Sequence, residues 1–189
     1  MLDQNSMYEI AIPIEAAVEE LDLKEENILT LLCFLEFHPR KVVRVLNKVY
    51  ATCTIKCYGG PQQLRSVASK NAAVAAAMAL QEKKCEQESV NALSFPVVDV
   101  AARMGWDSKL VKRDLKGLEY DNTMLHATGH SRKSGVIVEF SDIAFHLNVS
   151  ASLTEEDCDH LLDYLYERVQ KQEKMDIARL RKVQEAFQR

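Results

Sequence analysis

Apolar positions change period twice along this chain, and the same change is met in both halves. Ile28, Leu31, Leu32 and Leu35 recur every three to four residues, the spacing of one helix face. Cys53, Ile55 and Cys57 then alternate with Thr52, Thr54 and Lys56, the spacing of a half-buried strand. Asn47-Lys48 predicts a hairpin turn behind Val42-Val43-Arg44-Val45. Further on, Leu110, Val111, Leu115 and Leu118 repeat the helical spacing. Val136, Val138 and Phe140 follow as a β-branched and aromatic run behind a polar, glycine-containing loop over 128–135.

The two successions share one register. A shift of 83 residues, without a gap, lays Ile12-Pro13-Ile14 on Phe95-Pro96-Val97, Leu23 on Trp106, Ile28 on Val111, Leu32 on Leu115 and Leu35-Glu36 on Leu118-Glu119. Each copy predicts a short helix opened by proline, a tight turn (Leu21-Asp22-Leu23 or Met104-Gly105-Trp106) and a second helix. Gly105 suits a left-handed C-cap, and Asp107 or Ser108 an N-cap. Trp106, in register with Leu23, is expected in the core.

Helix, helix and hairpin is the winged-helix plan. The expected fold is therefore α+β, mainly helical, with tandem winged-helix repeats, a linking helix and a long C-terminal helix. The first copy is expected over 8–60, the linking helix over 61–87, the second copy with its basic helix and wing over 88–150, and the C-terminal helix over 151–189. The linking helix, continuous over 61–86, would turn Leu64, Val67, Ala68, Val74 and Met78 to one face. The last helix starts at a capping box of Thr154 and Asp157 and carries Leu161, Leu162, Leu165 and Val169. Past a polar stretch, Ile177, Leu180, Val183 and Phe187 resume its stripe.

Composition narrows the class. With 189 residues, 47% apolar and 28% charged, the chain fits a folded globular protein and excludes collagen-like and disulfide-framework classes. Its uncharged runs, among them the alanine-rich 71–81, are far short of the roughly 20 apolar residues that cross a bilayer. The opening six residues contain Asp3 and no basic or apolar leader, and read as a fragment edge rather than a secretion signal. Five cysteines, an odd number at irregular spacing, predict a reducing intracellular setting.

Charge is informative only locally. The net charge of -4 rules out a uniformly basic nucleic-acid binder, and residues 1–60 carry 6 basic against 9 acidic side chains. Residues 103–133 invert that balance with 7 basic and 4 acidic, a segment whose sign attracts phosphate. Lys109, Lys112, Arg113 and Lys116 recur at helical spacing opposite Leu110, Val111, Leu115 and Leu118, on the helix that enters the groove in helix-turn-helix proteins. The following loop adds His130, Arg132 and Lys133, with His126, as a candidate wing. The first copy has Lys24, Glu25, Glu26 and Glu36 in the matching helix, so the basic stripe is particular to the second.

No phosphate-binding loop, dinucleotide turn, nucleophile elbow or His-Glu-x-x-His helix is present, so no catalytic residue is assigned in this chain. Cys53 and Cys57, at i and i+4 of a strand, face the side of Ile55 and read as small apolar core residues rather than zinc ligands; no metal site and no cofactor are expected here. His146 reads as structural.

These residues together resemble one family, the RecQ DNA helicases of the Rothmund–Thomson type (RecQ-like type 4), in the accessory region behind the helicase core. The resemblance rests on the stretch 27–39 ending in Phe34-Leu35-Glu36-Phe37-His38-Pro39, on Cys57-Tyr58-Gly59-Gly60-Pro61-Gln62-Gln63-Leu64, on Met104-Gly105-Trp106, on 135–147 with Glu139-Phe140-Ser141-Asp142, and on Leu165-Tyr166-Glu167-Arg168-Val169-Gln170. It implies an ATP-dependent 3′ to 5′ helicase, a hydrolase of DNA replication and repair in the nucleus, with cytoplasm and mitochondria as further locations. It implies ATP and Mg in a core outside this chain, and zinc ligands upstream; Asn5 to Tyr8 offer no Cys or His. The loop 123–135 lacks the aromatic tip of a strand-separating pin, so phosphate positioning is the role it suits.

The expected function is thus a DNA-binding accessory module that positions duplex or branched DNA for the helicase core of the same polypeptide. Two alternatives stand beside it: a protein-interaction module using the acidic first copy or the C-terminal helix, and a dimeric DNA-binding regulator. A salt-insensitive interface without DNA binding would favour the first, and sequence-selective binding to a palindrome the second.

Overall fold

The computed structural model describes residues 7–82, 91–121 and 132–188. Its elements run β1 (Met7–Pro13), α1 (Ile14–Leu21), α2 (Glu25–Glu36), β2 (Val43–Val45), β3 (Val49–Cys57), α3 (Gly60–Lys70), α4 (Ala72–Glu82), β4 (Ala92–Pro96), α5 (Val97–Arg103), α6 (Ser108–Gly117), β5 (Tyr120–Asp121), β6 (Arg132–Lys133), β7 (Val136–Ser150) and α7 (Glu155–Phe187). The protein is α+β and mainly helical. Strand, helix and helix occur twice in the same order, and the helix starts Ile14 and Val97, and again Glu25 and Ser108, are 83 positions apart. The turn between the helices needs a left-handed residue in both places: Asp22 takes φ +50 and Gly105 φ +67.

The chain divides into two compact units. One is made of Glu9–Ala17 and Asn47–His146, the other mainly of Val18–Leu46 and Leu147–Arg189.

The first unit is built on an antiparallel sheet in which β7 and β3 are central, with β1 beside β7 and β4 beside β3. The alternation of β3 places Ala51, Cys53, Ile55 and Cys57 inward, while Tyr50 and Lys56 remain exposed. β3 pairs with β7 from Val49↔Ala144 to Cys57↔Val136, and on its other edge with β4 from Thr52↔Pro96 to Lys56↔Ala92. Against this sheet pack Val97, Val98, Val100 and Ala101 of α5, Val111 and Leu115 of α6, Leu64 of α3, and Val74 and Ala77 of α4. Each such Val or Leu side chain, fully buried, contributes about 1.5–3 kcal/mol.

Two local expectations are corrected here. The hairpin foreseen within the first copy does not form: β2 pairs not with β3 but with the end of β7, and both edges of β3 are taken by longer strands. Alternation fixes which face a residue takes, not which strand lies alongside. The linking helix over 61–86 is two helices. Asn71 closes α3 through its N–H to Val67 O at 2.9 Å and adopts extended backbone. Its Oδ1 then accepts from Val74 N–H at 3.1 Å, capping α4.

The second unit contains α2, β2, the last residues of β7 and α7. Val43 pairs with Val149, and Leu147 with Val45. The capping box is present as expected: Thr154 Oγ1 accepts from Asp157 N–H at 3.2 Å and Asp157 Oδ2 accepts from Thr154 N–H at 3.1 Å. α7 crosses α2 with the Arg168 guanidinium 5.3 Å from the Phe34 ring centre, and His38 meets Tyr164 edge-on at 4.7 Å. Arg40 forms an ion pair with Asp157. Leu161 and Leu165 are half-buried, but Leu162, placed in the same stripe from its spacing, is exposed, as is every described residue from Lys171 on. Leu23, Leu31, Phe34, Val169, Ile177 and Leu180 line an open groove of about 590 Å³ between α2 and α7.

Candidate nucleic-acid interface

The helix-turn-helix of α5 and α6 positions the candidate cations. Asp107 caps α6, its carboxylate accepting from Lys109 N–H at 2.8 Å and Leu110 N–H at 3.0 Å. Val111 and Leu115 then anchor the helix in the core. Lys109 and Arg113 are exposed and have no side-chain partner among the described residues. Asp114, between them in sequence, is engaged by Asn71 Nδ2 at 2.7 Å.

The other two lysines of the stripe serve the fold. Lys112 Nζ donates to Tyr50 O at 2.6 Å, and burial pushes its ammonium pKa down against the opposing pull of the Glu9 carboxylate. Lys116 Nζ donates to Val138 O at 2.8 Å and to Glu119 Oε1 at 2.7 Å. That bond from Lys116 holds the Glu119 carboxyl below its ordinary range, and Glu119 in turn accepts from Val138 N–H at 2.9 Å. Of the four cations assigned to one exposed face, two therefore face solvent freely and two clamp α6 to β3 and β7. Helical spacing identifies the face, but the neighbouring strands decide which amines are left without a partner.

The arm that follows, β5 and β6, is fixed by hydrogen bonds. Tyr120 pairs with Lys133 and Asp121 with Arg132, forming a two-stranded ribbon. Ser134 N–H donates to Glu119 O at 2.9 Å, and Gln63 Nε2 donates to Ser134 O at 2.8 Å. The same Gln63 accepts from Gly59 N–H at 2.7 Å, tying the start of α3 to the arm. Lys133 is exposed on the ribbon. Of Arg132 only the backbone is described, and His126 and His130 lie outside the described residues. Gln63 was not foreseen as a positioning residue, because its contact spans 71 positions and leaves no local pattern.

Trp106 and Leu110 are also corrected. Both were expected inward, yet Trp106 is 40% and Leu110 54% exposed. The signal was available: with Asp107 as N-cap, Trp106 precedes the helix, and Leu110 falls on the same outward face as Arg113.

Cys53 and Cys57 are buried, as their alternation predicts. Burial pushes the Cys53 thiol up to about 12, outweighing the opposite influence of Lys112 and Lys116. Among the described residues, no three His, Cys, Asp or Glu side chains are grouped to hold a metal ion. His146 is buried with Nε2 3.2 Å from Glu9 Oε2, joining β7 to β1. Among the described residues no helix is long and apolar enough to cross a membrane.

The fold and this surface define a mainly helical α+β protein that presents cations from the second helix of a helix-turn-helix and from the ribbon behind it. No protein-family model matches the chain. Over 95% of its length the chain is 39% identical to ATP-dependent DNA helicase Q4 of Homo sapiens and 38% identical to the same-named protein of Mus musculus. It spans 15% of the length of each of these curated relatives.

Proposed function

We propose that this chain is the DNA-contacting accessory module of an ATP-dependent RecQ helicase of the Rothmund–Thomson type, acting in the nucleus in replication and repair. In this reading it is an accessory region behind the helicase core and holds duplex or branched DNA for it. The observation that carries the reading is the likeness to DNA helicase Q4 along 95% of the chain. The surface agrees with it: Lys109 and Arg113 on α6 and Lys133 on the ribbon are exposed cations on elements that commonly meet DNA. ATP, Mg and any zinc belong, in this reading, to parts of the polypeptide outside the chain. Lys112 and Lys116 hold α6 at the sheet and act as positioning residues.

A salt titration of DNA binding tests this. Each phosphate contact contributes about 0.9 to the slope of log affinity against log salt on duplex DNA. Three contacts, from Lys109, Arg113 and Lys133, give a slope of about -2.7. Absence of binding to duplex, forked and single-stranded DNA at low salt would refute the proposal. Salt-insensitive binding to a protein partner without DNA binding would replace it with the interaction-module reading.

A further inference from the structure

Trp106 stands at the doorway of α6. Met104 ends α5, Gly105 turns with φ +67, and Trp106 N–H returns to Ala101 O at 2.9 Å, so the indole precedes the N-cap Asp107. A large apolar residue there ordinarily covers the fourth residue of the helix, here the buried Val111. Much of the indole nevertheless faces water, and so do Met104 and Leu110 on either side of it in sequence. Three large apolar side chains thus lie exposed within seven residues, at the start of the helix that carries Lys109 and Arg113.

The charges around this surface select its ligand. The Asp107 carboxylate is taken up by two N–H groups of its own helix, and Asp114 by Asn71. Lys109 and Arg113, three and seven positions past Trp106, have no side-chain partner among the described residues, so their cations are free to meet phosphate. An exposed aromatic ring at the start of a helix that carries free cations complements a nucleotide: the ring takes the face of a base and the cations take adjoining phosphates. Within a duplex both faces of each base are covered by neighbouring pairs. An unpaired base, at a junction or in a single strand, offers its faces.

We propose that Trp106, with Leu110 beside it, is a stacking platform for an unpaired base, and that Lys109 and Arg113 hold the phosphates next to that base. The preferred ligand of this surface is then DNA with a single-stranded segment. The inference rests on the DNA-contact reading above and adds the class of DNA and the residue that distinguishes it.

Trp106 is the single tryptophan of the chain, so its emission reports this surface alone. The whole chain is titrated at low salt with an oligothymidine, an abasic oligomer of equal length and a blunt duplex. Binding is followed by anisotropy of labelled DNA and stacking by Trp106 emission with unlabelled DNA. The oligothymidine is expected to quench the emission, and the abasic oligomer to bind without quenching. Trp106→Leu is expected to weaken oligothymidine binding about tenfold, with Trp106→Phe recovering most of it and duplex affinity unchanged in both. Oligothymidine binding with unaltered emission overturns the platform and leaves the DNA-contact reading standing. Failure of all three ligands to bind overturns both. Should Trp106→Leu fail to fold, the emission titrations on the parent chain decide the matter.

Discussion

Ile55 and Val138 stand directly opposite each other on β3 and β7, and they are also 83 positions apart in the chain. The offset that aligns the two halves in sequence is thus the offset of a strand pair at the centre of the sheet. Lys56 and Glu139, one position further along each strand, carry the same offset and form an ion pair at 2.6 Å. On either side, the first strand of each half lies beside the last strand of the other: β4 next to β3, and β1 next to β7. Both Ile55 and Val138 are almost wholly buried, so this contact belongs to the core.

Truncating that contact should be costly. Ile55→Ala is expected to destabilise the protein by about 2–5 kcal/mol in urea unfolding, because it opens a cavity between the sheet and α5. Val138→Ala should couple to it, the double variant departing from the sum of the singles by about 0.5–3 kcal/mol. Strict additivity would show that the two side chains do not share one packing environment.

The cations of α6 should separate into two kinds. Lys109→Glu with Arg113→Glu should leave the melting temperature near that of the parent while lowering the salt slope of duplex binding by about two. Lys112→Glu should lower the melting temperature, since it replaces a half-buried donor to Tyr50 O with an acid close to Glu9. Equal melting of both variants would contradict this division.

Acid should loosen the helical unit through Asp157. The hydrogen bond from Arg40, with those from Thr154, holds its carboxyl well below the ordinary range. A depressed folded-state pKa contributes stability above the unfolded value, near 4, and that stability disappears as pH falls toward the folded value. Arg40→Gln is therefore expected to melt below the parent at neutral pH, with the gap narrowing steadily below about pH 4. A gap independent of pH would place the effect of Arg40 elsewhere.

Thiol reactivity should follow burial. Cys158 is exposed and should react with a thiol reagent in the native protein at mildly alkaline pH. Cys53, buried and held up to about 12, should react only on unfolding. Rapid native labelling of Cys53 would mean that β3 opens readily between β4 and β7.

By itself the sequence determined what depends on neighbours a few residues away. The two helix pairs were legible because an apolar face needs side chains three or four apart, and because Asp107, Thr154 and the left-handed turn at Gly105 act within one helical turn. The inward face of β3 was legible from its alternation, and the cationic character of α6 from its composition. Tertiary structure alone decided which strands pair, since the alternation of β3 is satisfied by any partner and only competition among β2, β4 and β7 assigns its edges. It also broke the expected single helix at Asn71, whose side chain both caps α4 and binds Asp114. The candidate site depended on it most. Lys112 and Lys116 have the same charge and spacing as Lys109 and Arg113, yet carbonyls of β3 and β7 lie within reach of the first two amines and leave the second pair without a partner among the described residues. A charge belongs to the sequence, but its availability depends on which distant backbone oxygen folding brings beside it.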